Sequence, residues 1–249
     1  PSEHSTATVC DVRDEETYTI AKLKDGKYWM VENLNLAGET ALSADDTDVA
    51  SAYISSFSTS NNLTKEGNAI KLPASSASGF NTENYSYVYN SGNKTDCGAS
   101  GQSNPCYSYY SWDAATLGSG RSISTDNTDA PYSICPKGWR LPTTGIDSNM
   151  GWKRGDFYAL ATAYGINVED RSYGWSSSLY DAIGPNTVPH FLLAGYNDSS
   201  FGSGGYYCSS TSKANTNIFS LMFSATYFSL ANESIRTAGF SVRCLFSGQ

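Results

Sequence analysis

Charge is what this sequence has little of. Lys, Arg, Asp and Glu make up 16% of its 249 residues, against roughly a quarter in an average soluble protein. The 24 acidic and 16 basic side chains leave a net charge of -8. A surface of that sign repels phosphate, which speaks against general nucleic-acid binding and polybasic membrane attachment. Histidine is rarer still, with only His4 and His190, so metal or acid/base chemistry built on His clusters is not expected. No run reaches the ~18 consecutive apolar residues that cross a bilayer, so no membrane span is predicted. Pro1–Val9 lacks the charged start and apolar run of a signal peptide, which predicts a mature or trimmed chain.

Neutral polar residues take the place of charge. Ser, Thr and Asn number 38, 21 and 18, joined by 22 Gly and 18 Tyr, a composition suited to short strands and many turns. Apolar residues at 39% suffice for a packed core. The acidity is uneven: residues 1–96 hold 14 acidic and 7 basic side chains, and 97–249 hold 10 and 9. The C-terminal part is thus close to neutral.

Glu16–Leu34 reads as a hairpin about the turn Asp25-Gly26, with Tyr18, Ile20 and Leu23 leading in and Tyr28–Val31 returning. From about 38 to 108 neither period is sustained, which predicts a long irregular insertion. Two short helices are expected. Ser111 caps WDAATL before Gly118, and Asp156 caps FYALATAY before Gly165. Strand-like segments follow at Phe191–Ala194, Tyr206–Ser210, Ile218–Phe223, Thr226–Leu230 and Phe240–Phe246. No internal repeat is visible. The reading is one α+β domain over 1–249, carrying the insertion.

Six cysteines in such a chain favour an oxidising compartment, although six allow ~15 pairings. Cys97 and Cys106 enclose the turn-rich GASGQSNP and form a natural small disulfide loop. Cys135 and Cys244 both edge aromatic, strand-like segments and are paired here. Cys10 and Cys208 are left over, paired or free.

Four stretches, DVRDEETYTIAKLKDGKYWMVENLNL (11–36), YSWDAATLG (110–118), ICPKGWRLPTT (134–144) and GYYCSST (205–211) with GFSVRC (239–244), occur in order. Together they resemble the Fibrobacter succinogenes major paralogous domain family. The positions that match its motifs are Trp29, Asn33, Cys135, Trp139, Arg140, Pro142, Tyr207, Ser209, Ser210, Arg243 and Cys244; Cys208 departs from the family's usual Trp. The resemblance implies a C-type-lectin-like fold with two helices, a twisted, partly irregular sheet and long loops, displayed outside the cell or on a virion. It further implies a binding module whose C-terminal portion, about 206–246, is rewritten by a diversity-generating retroelement through mutation of template adenines. Only Lys213, Met222 and Glu233 in Tyr206–Ala238 are residues that adenine mutation of Asn codons cannot reach.

The expected contact residues are Tyr206, Tyr207, Cys208, Ile218, Phe219, Leu221, Phe223, Tyr227 and Phe228, where alternate side chains of the apolar 218–230 segment would face solvent and meet a macromolecular partner. Trp29 and Trp139 are expected in the core, and Arg140 and Arg243 are expected to tie loops to carbonyls or carboxylates. No metal or other cofactor is expected. Asp45, Asp46 and Asp48 are too few oxygens for a defined Ca²⁺ cage, and Pro185-Asn186 with Tyr196-Asn197-Asp198 is an incomplete version of a lectin's calcium motifs. Catalysis is not expected: His190 sits in an apolar run, and no nucleophile elbow or phosphate loop is present. Two alternatives stay open, an invariant adhesive envelope protein of the same fold and an enzyme of the formylglycine-generating type acting through Cys208.

Overall fold

The structure is a computed structural model. It describes residues 5–59, 62–75, the backbone of 88–90, 108–125, 127–144, 155–168, 173–196, 203–214 and 216–248. The architecture is mixed α+β, with antiparallel sheets and four short helices among the described residues.

The first sheet grows from the expected hairpin. Strands β1 (Thr6–Cys10), β2 (Thr17–Lys22) and β3 (Tyr28–Met30) are antiparallel neighbours, with Lys22 opposite Tyr28. The Asp25 carboxylate fixes the turn, accepting from Lys27 N at 3.1 Å and from the Trp29 indole Nε1 at 2.9 Å. The chain's last strand, β14 (Leu245–Phe246), joins β3 to β9 (Trp139–Arg140), so the sheet order is β1-β2-β3-β14-β9. The Cys135–Cys244 disulfide locks that closure. The Cys97–Cys106 loop, expected beside it, lies outside the described residues.

The stretch expected to be an irregular insertion is partly regular. It carries β4 (Ala41–Ser43), α1 (Ser51–Ser56), β5 (Thr64–Glu66) and β6 (Ala69–Lys71), the strands forming a small sheet in the order β4-β6-β5. Leu42, Val49, Ile54, Leu63, Ile70 and Leu72 are all buried in the main core. Three-residue strands are too short to show a period in the sequence, yet β4 and β6 each insert one aliphatic side chain, Leu42 and Ile70. Beyond it, β7 (Val88–Asn90) pairs with β8 (Ser108–Tyr110).

Helix α2 (Trp112–Ala115) starts as expected, Ser111 Oγ accepting from Ala114 N at 3.3 Å. Helix α3 (Asp156–Ala163) differs: Gly155 is its cap, and Asp156 is the first helical residue. Two helices beyond the expected pair are present, α1 and α4 (Ser178–Ile183).

The C-terminal sheet holds the longest strands among the described residues. Strands β10 (Tyr173–Gly174), β11 (Gly204–Lys213), β12 (Asn217–Ser224) and β13 (Phe228–Ile235) run in the order β10-β13-β12-β11. The expected strand at Phe191–Ala194 is not formed. A buried seam from Ala238 to Cys244 stitches the parts together. Phe240 exchanges backbone bonds with Tyr110, Cys208 N donates to Ser241 O, and Met30 N donates to Cys244 O.

Two apolar clusters fill the interior. One gathers Tyr110, Trp112, Cys208, Ile218, Phe240 and the insertion's aliphatics. The other gathers Trp29, Phe157, Phe191, Tyr207, Phe223 and Phe228. Each large side chain so buried contributes roughly 1.5–3 kcal/mol.

Candidate functional site

The 206–228 segment does not expose the apolar patch expected of it. Tyr207, Cys208, Ile218, Phe219, Leu221, Phe223 and Phe228 are all buried. The reason is that both faces of this sheet are covered over much of its length. Tyr207, Leu221, Phe223 and Phe228 point into the cluster around Trp29 and Phe191. Cys208 and Ile218 are covered from the other side by the cluster holding Tyr110, Trp112 and Phe240. Phe219 lies under Lys213, whose Nζ sits 5.5 Å from the ring centroid and pairs with Glu233 at 3.3 Å. Register shifts between Cys208 and Ser212, and between Ser220 and Met222, break the alternation a sequence reading relies on.

Of the nine expected contact residues, Tyr206 and Tyr227 retain partial exposure, and they mark where the sheet does reach the surface. The register defines that face. Tyr206 pairs with Met222, Met222 with Ser229, and Ser229 with Tyr173. A second row runs from Gly204 to Ser224, beside the turn that delivers Tyr227, and toward Trp175. Phe228 is opposite Gly174 on the buried side. A Cβ on Gly174 would lie 2.7 Å from the Phe228 ring, so glycine here lets that ring pack inward while its neighbours Tyr173 and Trp175 face out. Gly204 does the same for the outer side, since its missing Cβ would stand 2.9 Å from the Tyr206 ring.

The result is a group of aromatic rings at the surface. Trp175 is 81% exposed and Tyr173 41% exposed. Tyr227 links them, its ring centroid 4.8 Å from that of Trp175 and 6.4 Å from that of Tyr173. Tyr196 packs on Tyr206 at 4.5 Å. Burial raises the Tyr206 pKa, and the phenols of Tyr196 and Tyr227 add to the rise. The turn beneath is held by Ser224, whose Oγ accepts from Thr226 N at 3.3 Å and Tyr227 N at 3.1 Å. No charged residue or histidine occurs in 173–180, 203–212 or 217–232. Such a face can offer ring surface and hydroxyl groups to a ligand, and no formal charge.

Sequence reasoning missed Tyr173, Trp175, Tyr196 and Met222 here. A signal for the first two exists: in Tyr-Gly-Trp-Ser-Ser-Ser two aromatics flank a glycine at a strand's period, placing both on one side.

The remaining candidates are structural. Trp29 is buried against Phe157 and Phe191, as expected. Trp139, expected in the core, is only half-buried and packs edge-on against Phe246, because β9 is an edge strand. Arg140 ties β9 to α3 through Asp156, with Nη1 at 2.7 Å and Nη2 at 3.0 Å from its two oxygens. Burial alone would push the Asp156 pKa up. Arg140, Lys27 at 2.6 Å and the Thr143 amide outweigh it and hold the carboxyl down at about 2. Arg243 is fully buried; it donates to the carbonyls of Met30, Pro189 and His190 and to Asn33 Oδ1. Its guanidinium stacks over Phe191 at 4.5 Å.

The two residues considered for catalysis differ in their surroundings: Cys208 is buried and His190 is half-buried. The Cys208 thiol is fully buried and its pKa is driven well up by burial, whereas a nucleophilic cysteine needs an accessible, stabilised thiolate. Burial and the nearby Arg243 charge lower the His190 pKa. Of the acidic residues considered for Ca²⁺, Asp46 Oδ2 accepts from the Ser43 amide and hydroxyl, and Asp48 Oδ2 accepts from Gly138 N at 3.0 Å. Among the described residues no three His, Cys, Asp or Glu side chains gather as a metal site would require; Asn197 and Asp198 lie outside those residues. No helix among the described residues is long and apolar enough to cross a membrane.

Comparison of the chain with protein-family models, with curated proteins and with solved structures finds no match.

Proposed function

We propose that the chain is a non-catalytic binding domain of C-type-lectin-like fold that works outside the cell, holding a macromolecular ligand on the outer face of its C-terminal sheet. One observation carries the reading: most large apolar side chains among the described residues are buried, while Trp175 and Tyr173 stand at the surface around Tyr227. Exposed aromatic groups of this kind mark contact surfaces. The Cys135–Cys244 disulfide and the motif resemblance support an extracellular setting. The inaccessible Cys208 thiol argues against the enzymatic alternative.

Retroelement diversification belongs to this proposal in a narrowed form. Substitution at Ile218, Leu221, Phe223 or Phe228 would open cavities in the core, so a varied chain can change only outward positions such as Tyr206 and Tyr227. A coding locus with a near-identical, adenine-differing template repeat and a neighbouring reverse transcriptase supports this; a locus lacking both sinks it and leaves the invariant adhesive reading.

The binding face is tested with labelled chain and envelope preparations from its source. Wild type is expected to be retained, and a Tyr173→Ala/Trp175→Ala/Tyr227→Ala variant is not. Equal retention of the two contradicts the assignment.

A further inference from the structure

We infer that the ligand of this face is a neutral polysaccharide, taken as a single twisted chain and held by ring stacking without a metal ion. The inference rests on the binding face proposed above and names its ligand class.

Charge comes first. The chain carries a net -8, yet residues 173–180, 203–212 and 217–232, which supply the outward rings, hold no charged group; the Lys213–Glu233 pair of the same strands stands over Phe219 instead. Acidic or basic polymers find no counter-charge there, and a neutral ligand loses nothing by desolvation against it. Protein-binding surfaces differ: their strongest contacts are enriched in Arg as well as Trp and Tyr, and a polar rim surrounds them. Here the outward set is Tyr173, Trp175, Tyr206, Met222 and Tyr227, with serine and glycine between them. A sugar ring has an apolar C–H face and an edge of hydroxyls, which match an aromatic face and neighbouring phenol or serine hydroxyls respectively.

Geometry then selects the form of the polymer. The Trp175 and Tyr227 planes are inclined by 55°, those of Tyr173 and Tyr227 by 34°, and those of Tyr196 and Tyr206 by 41°. Rings so inclined cannot all lie on one flat crystalline surface. They can contact successive residues of a chain whose sugar faces rotate along its length.

Native gel electrophoresis of the full chain tests this, in gels containing a mixed-linkage β-glucan, an α-mannan, an unsubstituted xylan or soluble starch. At least one neutral polymer is expected to retard the protein, equally at low salt and at about 0.5 M NaCl, since no ion pair is involved. Trp175→Ala and Tyr227→Ala should each weaken that affinity roughly tenfold or more, while Tyr227→Phe retains most of it. On the unmodified protein, the polymer should reduce acrylamide quenching of tryptophan fluorescence, a readout that needs no variant. Retardation by none of the four polymers overturns the inference, as does binding unchanged in Trp175→Ala. A preference for heparin or polygalacturonate that vanishes with salt, or stronger binding to crystalline cellulose than to soluble chains, also overturns it. If envelope retention still depends on the three aromatics, only the ligand class has failed and a protein partner takes its place; if it does not, the face itself is wrong.

Discussion

Two regions of this molecule use side chains in opposite ways. Around the junction of β3, β9 and β14, charges are drawn inward and fully engaged. Arg243 is surrounded by carbonyls and aromatic faces, Asp156 receives Arg140, Lys27 and Thr143, and Asp11 and Arg13 form a buried pair at 2.6 Å. On the outer face of the C-terminal sheet the described residues Tyr173, Trp175, Tyr206, Met222 and Tyr227 carry no charge, and aromatic rings stand in water. Buried charges must be satisfied or they destabilise the fold; exposed rings do nothing for it. The difference teaches that the first region holds the structure and the second is free to serve a ligand.

Interventions at the anchored junction should therefore lower stability, in proportion to what they undo. Opening the Cys135–Cys244 bridge, which spans 109 residues, should have the largest effect, a loss of about 4 kcal/mol in a denaturant titration under reducing conditions. Arg243→Ala should follow at roughly 3 kcal/mol, since four acceptors lose their donor in the interior. Asp156→Asn should lose about 1–2 kcal/mol near neutral pH, a figure reduced because Lys27 and Arg140 are about 40% exposed. The Asp156 carboxyl falls from the ordinary 3.8 to about 2 on folding, so its contribution is complete above about pH 5 and fades as pH falls through that window. Acid unfolding curves of wild type and Asp156→Asn should converge toward pH 2. Smallest of all, Trp175→Ala and Tyr227→Ala should shift stability by no more than about 0.5 kcal/mol; a loss of 2 kcal/mol or more would erase the contrast between the two regions.

The anchored region was largely legible in the sequence. The Asp25-Gly26 turn, the Ser111 cap, the Cys135–Cys244 pair, the core position of Trp29 and the tying roles of Arg140 and Arg243 each follow from local chemistry. The exposed aromatic face was not. Whether Ile218, Leu221 or Phe223 faces water depends on which cluster covers each side of β12 and on two register shifts, and no sequence period reports either. The insertion failed for a related reason, because strands of three residues take their stability from the core they enter. Asp156 looked like a cap because it opens a helix; its partners Lys27 and Arg140 come from the β2–β3 turn and from β9.

The central claim is that the exposed rings serve binding and nothing else. Its most direct test is a paired measurement on wild type and Trp175→Ala/Tyr227→Ala: the thermal unfolding midpoint, and retention on envelope material from the source. The account predicts midpoints within about 2 °C of each other, with retention lost in the variant. Undiminished retention by a variant with an unchanged midpoint would contradict it.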